Sequence, residues 1–335
     1  MTGGKTMTVL SQNLQAQRTR PDIETFLVRY GLFLLVLAAF ILFAWLRPTF
    51  VSAGNINDML RSASIAAIMF LGLTWIIAAG EIDVSFMSVA ALANMIVAGL
   101  VQAGYGWPLA CLCGLLAGIV IGLINGGLVA GFRLPALVIT IATGGLAGSI
   151  AAAIGLGTSI SLSSTGFVGL VLSANLGVIP VIAIVVAIIY AASYVVQEHL
   201  TFGHYLYAME QNRAAVVEAG VPVNRILFLL YILSGVVSAL AGILLTADLS
   251  SGQPYIGSSY FIDGLTAVLL GGMALKYGKP NVVGTLAAVL LLAALLSGAA
   301  LLGWTDQQRQ IVRGLLLLFG VTVVVWARRQ NRAKI

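Results

Sequence analysis

Long apolar runs separated by short polar interruptions occupy most of this chain. A helix needs about 20 apolar residues to cross the hydrocarbon core of a bilayer. Ten runs approach or exceed that length, although the eighth is short and the second and third are nearly fused. They are 30–46, 62–79, 84–101, 108–130, 136–154, 178–196, 226–246, 262–275, 282–302 and 311–327. We therefore predict an all-α, polytopic membrane protein with about ten transmembrane helices.

The composition supports this class. Of the 335 residues, 60% are hydrophobic and 8% are charged, whereas soluble domains contain roughly 25% charged residues. The mean hydropathy is +1.05. The 38 glycines fit the same prediction, because helices that pack in lipid need small residues at their contacts. The net charge of +6 does not form one basic patch, so we expect no binding to nucleic acid.

The distribution of basic residues gives the orientation of the chain. With ten spans and the N-terminus inside, 13 of the 17 basic residues lie on the inner side, as the positive-inside rule requires. The four outer ones are Arg47, Arg61, Arg309 and Arg313. We predict a cytoplasmic N-terminal tail (1–29), a transmembrane domain (30–327) and a cytoplasmic C-terminal tail (328–335).

A polar interval at 197–225 is much longer than a simple turn requires. It contains a run with helical composition, Asn212 to Ala219, which is followed by Gly220 and Pro222. Glycine and proline at these positions end a helix. A charged segment with a defined end is typical of a docking surface for a soluble partner.

The chain has no recognisable catalytic or metal site. His199 and His204 are its only histidines, and both lie in the polar interval away from any membrane carboxylate. Gly3-Gly4-Lys5-Thr6 lacks the leading glycine, strand and helix of a phosphate-binding loop. Cys111 and Cys113 point in different directions on a helix, so we expect neither a disulfide nor a metal there. We predict no cofactor, and any ATP hydrolysis must come from another chain.

The segment Gly80-Glu81-Ile82-Asp83-Val84-Ser85 places two acids between apolar runs. Two interpretations stay open. The segment can be a tight hairpin with both carboxylates in water, or a helix break inside the protein that is shielded from lipid.

Two neighbouring spans carry small and hydroxylated residues. Gly114, Gly118, Gly122 and Gly126 recur at every fourth position, so they predict a groove on one helix face that receives another helix. Thr140 and Thr143 on the next span either bond to a neighbouring helix, which the sequence favours, or face an aqueous path.

The topology also leaves three outer segments, near 47–61, 155–177 and 247–261. Two interpretations of the last two segments stay open. They can be ordered surface loops that receive an extracellular partner, or plain solvent-exposed connectors.

Four blocks, in order and over residues 30–327, resemble the ribose-type branch of ABC importer permeases. The blocks are Gly80 to Ser85; Asn125-Gly126 with 134–140 and Thr143; the stretch from Thr201 to Gly235; and Asp263, Gly271-Gly272 and Val283 to Thr285. The chain departs from the family's usual pattern at Met87, Gly148, His204 and Ser297. These departures leave the fold in place and put the transfer of a particular sugar in doubt.

The resemblance implies a type II ABC importer permease with a second permease subunit, identical or not, two cytoplasmic ATPase subunits and a periplasmic sugar-binding protein. The substrate would be a monosaccharide or a related small polyol. The run at 212–220 would be the coupling helix that seats on the ATPase, with Asn212, Arg213, Ala215, Glu218 and Gly220 as its residues. A polyol needs hydroxyl or amide partners, which makes the polar residues of the spans candidates for the translocation path: Asp83, Ser85, Asn94, Thr140 and Thr143.

The alternative is an ion-coupled secondary transporter of a small polar solute. Such a protein needs a buried acid near the membrane midplane, and Glu81 and Asp83 would supply it if the segment 80–85 is buried. The long polar interval and the shortage of other buried acids count against this alternative.

Overall fold

A computed structural model describes residues 23–276 and 278–332 of this chain, and within them it contains twelve α-helices. The helices are α1 (Ile23–Leu46), α2 (Ala53–Ala78), α3 (Phe86–Gln102), α4 (Trp107–Gly126), α5 (Ala136–Ile154), α6 (Gly166–Ser173), α7 (Val181–His199), α8 (Thr201–Glu218), α9 (Val223–Asp248), α10 (Ile256–Gly271), α11 (Val282–Leu301) and α12 (Asp306–Arg332). A 3₁₀ turn at Pro48–Val51 precedes α2, and α4 continues as a π-helical turn over Gly127–Gly131. The short strands are β1 (Ile160–Ser161), β2 (Asn175–Leu176), β3 (Ile179–Pro180) and β4 (Ser251–Gly252).

The predicted all-α polytopic class is confirmed. Seven helices of the described chain are long and apolar enough to cross a membrane, namely α1, α2, α4 with its π-helical extension, α5, α7, α9 and α11. The helices α3 and α10 are apolar but shorter, and the predicted tenth run lies within α12. The count of ten spans stays a prediction.

Several predicted boundaries are wrong. The helix α2 begins at Ala53, so most of the segment at 47–61 is helical instead of a connecting loop. Ser52 accounts for this start, because its side chain accepts a hydrogen bond from the Asn55 backbone and caps the helix. The helix α10 begins at Ile256 and ends at Gly271, earlier at both ends than the predicted run.

Two helices extend into the predicted tails, and the bounds of those tails stay predictions. The helix α1 begins at Ile23, inside the predicted N-terminal tail, and α12 continues to Arg332, inside the predicted C-terminal tail. Residues 1–22 and 333–335 of those tails lie outside the described residues.

The helix α9 is the centre of the bundle and packs along α2, α3 and α4. The glycine groove predicted on α4 is confirmed, because a Cβ atom built on Gly118 would lie 2.4 Å from the Gly235 carbonyl oxygen of α9. A Cβ on Gly122 would likewise lie 2.7 Å from the Tyr231 carbonyl oxygen. The bare backbone thus lets the two helices approach closely.

The two ends of the bundle carry different features. One end, which we call the α8 end, holds α8, the segment 80–85 and the turn between α4 and α5. The other, the ribbon end, holds an antiparallel ribbon in which Ile160 pairs with Gly252 and Ser161 with Ser251. This ribbon joins the two predicted outer loops at 155–177 and 247–261, which are therefore ordered.

Candidate functional site

The segment 80–85 is a helix break inside the protein. It connects α2 to α3, and Asp83 at its centre is only 2% exposed. The alternative of a hairpin with both carboxylates in water is therefore wrong. A buried carboxylate is costly unless hydrogen bonds compensate it, so the partners of Asp83 determine how the segment is held.

Both oxygens of Asp83 accept hydrogen bonds. Oδ1 accepts from the Ser85 backbone nitrogen at 2.8 Å and from the Ser85 hydroxyl at 2.6 Å. Oδ2 accepts from the Ser234 hydroxyl of α9 at 2.7 Å. The carboxylate thus ties the start of α3 to the central helix.

The network continues through Ser85 into α4 and α5. Asn125 Nδ2 donates to the Ser85 hydroxyl at 2.8 Å, and its Oδ1 accepts from the Thr143 hydroxyl at 2.6 Å. Beside this chain of bonds, the Val84 backbone nitrogen donates to Thr140 Oγ1 at 3.1 Å. Four of the five predicted pathway residues, Asp83, Ser85, Thr140 and Thr143, therefore meet around one helix break.

Asn94 lies apart from this network, on α3 toward the ribbon end. Its Nδ2 donates to the Thr246 hydroxyl at 2.9 Å and to the Ser251 carbonyl at 3.2 Å. Its Oδ1 accepts from the Gln253 backbone nitrogen at 2.6 Å. Asn94 is fully buried and joins α3 to α9 and to the ribbon.

A cleft of about 560 Å³ opens between α3, α5 and the start of α10. Thr140 lines this cleft, whereas Asp83, Ser85, Asn94 and Thr143 are not among its lining residues. The wall on α5 consists of positions about one helical turn apart, Thr140, Gly144 and Gly148, with Ser149 beside them. Ser88, Pro254, Tyr255 and Ser258 close the cleft from the other side.

The sequence did not identify Ser88, Ser149 and Tyr255 as cleft residues. A signal for the α5 wall existed, because Thr140, Gly144 and Gly148 follow one another at a spacing of four. Nothing in the local sequence of Tyr255 predicts that it lines this cleft, since its position depends on how the ribbon places the start of α10.

The run at 212–220 forms a short exposed helix at the α8 end. Asn212 has extended backbone angles (φ −154°, ψ 89°) that kink α8. Its Oδ1 accepts a hydrogen bond from the Ala215 backbone nitrogen at 3.1 Å, as a helix N-cap does. Gly220 has a φ of +82°, a conformation that favours glycine at a helix end.

Most side chains of this run face outward. Val216 is buried and anchors the run, whereas Val217 and Glu218 are exposed, as are Asn212 and Ala215. Arg213 differs from the rest, because its Nη1 pairs with Glu81 Oε1 at 2.7 Å. Arg213, Val217 and Glu218 line a second cleft of about 570 Å³ with Glu81, Arg133 and Asn224.

The start of the polar interval is bound to the rest of the bundle. Gln197 is 1% exposed, donates to the Pro280 carbonyl at 3.2 Å and accepts from the Val282 backbone nitrogen at 2.9 Å. Glu198 pairs with Lys276. These contacts hold the end of α7 against the start of α11, so Gln197 and Glu198 belong to the packed part of the protein, whereas exposed positions recur from His199 to Arg225.

Comparisons with known proteins agree with this architecture. The family model described as "Branched-chain amino acid transport system / permease component" matches residues 55–321. The ribose import permease protein of Bacillus subtilis is 33% identical over 93% of this chain and 97% of its own length. The arabinose ABC transporter permease of Azospirillum brasilense is 27% identical over 97% of this chain and 99% of its own. No solved structure matches the chain.

A further relative, the autoinducer 2 import system permease protein LsrD of Escherichia coli, is 32% identical over 87% of this chain and 91% of its own length. The chain therefore belongs to the branched-chain amino acid and sugar permease family of ABC importers. It is a multi-pass membrane protein of the branch that contains the sugar permeases. Asp83 is buried, as the ion-coupled alternative requires. That alternative nevertheless finds no support, because the family model and these relatives are permeases of ABC importers.

Proposed function

We propose that this chain is the membrane-spanning subunit of an ATP-driven importer for a monosaccharide or a related small polyol. The observation that supports this substrate class is the 560 Å³ cleft, whose lining residues include hydroxyl groups and bare glycine backbone and no charged side chain. The hydroxyl groups of Ser88 and Ser149, which line the cleft and are not fully buried, can exchange hydrogen bonds with a neutral polyol as it passes. A charged solute would leave its charge uncompensated there.

The five predicted pathway residues divide into two roles under this proposal. Thr140 forms part of the cleft wall, with its buried hydroxyl bonded to the Val84 nitrogen and the Ala136 carbonyl. Asp83, Ser85 and Thr143 hold the wall of the path in place through their shared hydrogen bonds, and Asn94 does so nearer the ribbon end. Selectivity for one sugar rests largely with a binding protein, because the cleft offers few polar groups.

The proposed orientation places the α8 end in the cytoplasm. Arg133, Arg213, Arg225, Lys276 and Lys279 lie at that end, whereas Arg61, Arg309 and Arg313 lie on helices near the ribbon end. The positive-inside rule assigns the more basic end to the cytoplasm, which also places both termini inside. The ribbon and its loops then face the periplasmic binding protein.

The exposed run at 212–220 is the proposed seat of the ATPase subunit. Asn212 begins the short helix, Gly220 ends it, and Ala215 and Glu218 stand on its outer face. Binding of ATP would draw two ATPase subunits together and move this helix in each permease subunit, identical or not. Each ligand shifts the balance between inward- and outward-facing states only by its differential affinity for them.

The proposal is tested by reconstituting the chain in liposomes with the ATPase and binding protein encoded beside it. Radiolabelled ribose and arabinose are the first probes. We expect uptake that requires ATP, the ATPase subunit and the binding protein. Uptake by this chain alone, driven by a proton or sodium gradient, would contradict the proposal.

The cleft has a matched pair of variants. A leucine at Gly148 fills the cleft, so Gly148→Leu should lower uptake roughly tenfold or more while assembly with the ATPase is retained. Gly314→Leu adds the same side chain on α12, where a Cβ meets open space, and should transport like the wild type. Equal uptake by both variants would remove the cleft from the path.

A further inference from the structure

The helix α3 and the segment that leads into it contact both ends of the bundle. At the α8 end, Glu81 pairs with Arg213 of the exposed run at 2.7 Å. Gly80, with a φ of +84°, lies so close to α8 that a Cβ built on it would be 3.1 Å from the Glu210 Cα atom. The segment 80–85 therefore contacts α8 on both sides of the kink at Asn212.

The segment is also fixed to α3 and to the core. The Asp83 carboxylate bonds to the first residue before α3 and to Ser234 of α9. Tyr231 donates its hydroxyl to the Ile82 carbonyl at 3.2 Å. When Arg213 moves, it pulls Glu81 with it through their salt bridge. The start of α3 then moves as well, because these bonds leave the segment 80–85 little freedom to move alone.

Asn94 makes the corresponding contacts further along α3. It lies about 12 Å from the helix start at a rise of 1.5 Å per residue. Its two amide hydrogens meet Thr246 and the Ser251 carbonyl, and its oxygen meets the Gln253 backbone nitrogen. Since Ser251 belongs to the strand paired with β1, Asn94 attaches α3 to the ribbon that joins the two outer loops.

The same helix forms one wall of the cleft, through Met87, Ser88 and Ala91. We propose that α3 is the element that links the ATPase-facing helix to the binding-protein face, with Glu81 and Asn94 as the positioning residues at its two attachments. A shift of α3 moves Glu81 at the salt bridge with Arg213, changes the width of the cleft and moves the ribbon attached to Asn94. This inference rests on the proposed function.

The test compares ATP hydrolysis with and without sugar-loaded binding protein, using the full complex in lipid nanodiscs. The stimulation ratio is the rate of ATP hydrolysis with sugar-loaded binding protein divided by the rate without it. Glu81→Gln removes the charge that holds Arg213, so this ratio should fall about fivefold while the subunits still co-purify. The reversed pair, Glu81→Arg with Arg213→Glu, should recover most of that loss. The matched control is Glu198→Gln, which breaks the ion pair with Lys276 at the same end and should keep the ratio.

A second measurement reads the ribbon directly in variants at each of the two attachments of α3. A fluorophore is placed at Ser161→Cys, an exposed ribbon position, after Cys111 and Cys113 are replaced by alanine. ATP with vanadate should change its signal in the otherwise wild-type complex and much less in Glu81→Gln. Asn94→Leu, which keeps the side-chain size and removes the three bonds, should reduce the same signal.

The outcomes separate the two proposals. A wild-type complex that hydrolyses ATP without any response to binding protein, or does not assemble, overturns the proposed function and the link with it. A responsive wild type whose Glu81→Gln variant keeps the full stimulation ratio and the full ribbon signal overturns the link alone. An equal loss in Glu81→Gln and Glu198→Gln also overturns it, because the effect would then belong to the α8 end in general.

Discussion

Two polar interruptions of this apolar chain, the segment 80–85 and the run at 212–220, serve opposite purposes. The first is buried, and its central carboxylate accepts three hydrogen bonds. The second is exposed and is held mainly by its own cap at Asn212 and by the buried Val216. The salt bridge between Glu81 and Arg213 joins them. A polar interruption in a membrane chain can thus be a buried, hydrogen-bonded segment or an exposed surface, and only the partners of each side chain distinguish the two.

The largest expected loss of stability follows removal of the Asp83 carboxylate. Asp83→Ala leaves the Ser85 backbone nitrogen and two hydroxyl groups without their acceptor, and each buried unsatisfied group costs roughly 1–3 kcal/mol. We expect a destabilisation of about 3 kcal/mol or more, measured by thermal unfolding in detergent. Asp83→Asn keeps the shape and one acceptor, so its loss should be clearly smaller. Wild-type stability in Asp83→Ala would contradict the locked segment.

A smaller loss is expected from the contact between α4 and α9. Gly118→Ala places a methyl group where the Gly235 carbonyl lies 2.4 Å away, and such overpacking costs typically about 1–3 kcal/mol. Gly127→Ala is the control on the π-helical extension of α4, because a Cβ there meets no atom within 4 Å. The comparison fails if both variants unfold at the same temperature.

A substitution at the start of the exposed run 212–220 should change the stability of that short helix and leave the rest of the bundle unaffected. Asn212→Ala removes the cap of the short helix and should cost about 1 kcal/mol of local helix stability. Hydrogen exchange at 213–218 should accelerate, while exchange in α9 stays unchanged. Asn212→Asp keeps an accepting oxygen and should preserve the slow exchange. Faster exchange throughout the bundle would show that the run is part of the core.

The smallest effect on stability should accompany a large effect on assembly. Glu218→Lys changes an exposed side chain and should alter the free energy of unfolding by less than about 0.5 kcal/mol. It should nevertheless weaken binding to the ATPase subunit roughly tenfold, which corresponds to about 1.4 kcal/mol, as measured by titration in nanodiscs. Unchanged affinity would remove Glu218 from the ATPase seat.

The sequence predicted the bundle well because long apolar runs and glycine spacing are local signals. The α4 groove is an example, since a period of four places Gly118 and Gly122 on one face whatever the rest of the fold does. The run at 212–220 was equally visible, because the capping residue and the terminating glycine lie within the run itself.

The parts that sequence reasoning missed depend on contacts between distant positions. The buried Asp83 bonds to Ser234, which is 151 positions away, and Gln197 is buried because it meets Pro280 and Val282. The start of α2 at Ala53 was missed for another reason: its first turns are polar, so a hydropathy pattern records them as a loop. The cleft was only partly predicted, because Thr140 faces it whereas Thr143, three residues later, points toward Asn125.

Cross-linking tests most directly whether the run at 212–220 contacts an ATPase subunit, as we propose. A photoreactive residue is introduced at Glu218, and in a separate variant at Leu156, which is 91% exposed near the ribbon end. We expect a cross-link to the co-expressed ATPase subunit from position 218 and none from position 156. A cross-link from 156, or none from 218 in an assembled complex, would contradict the proposed contact.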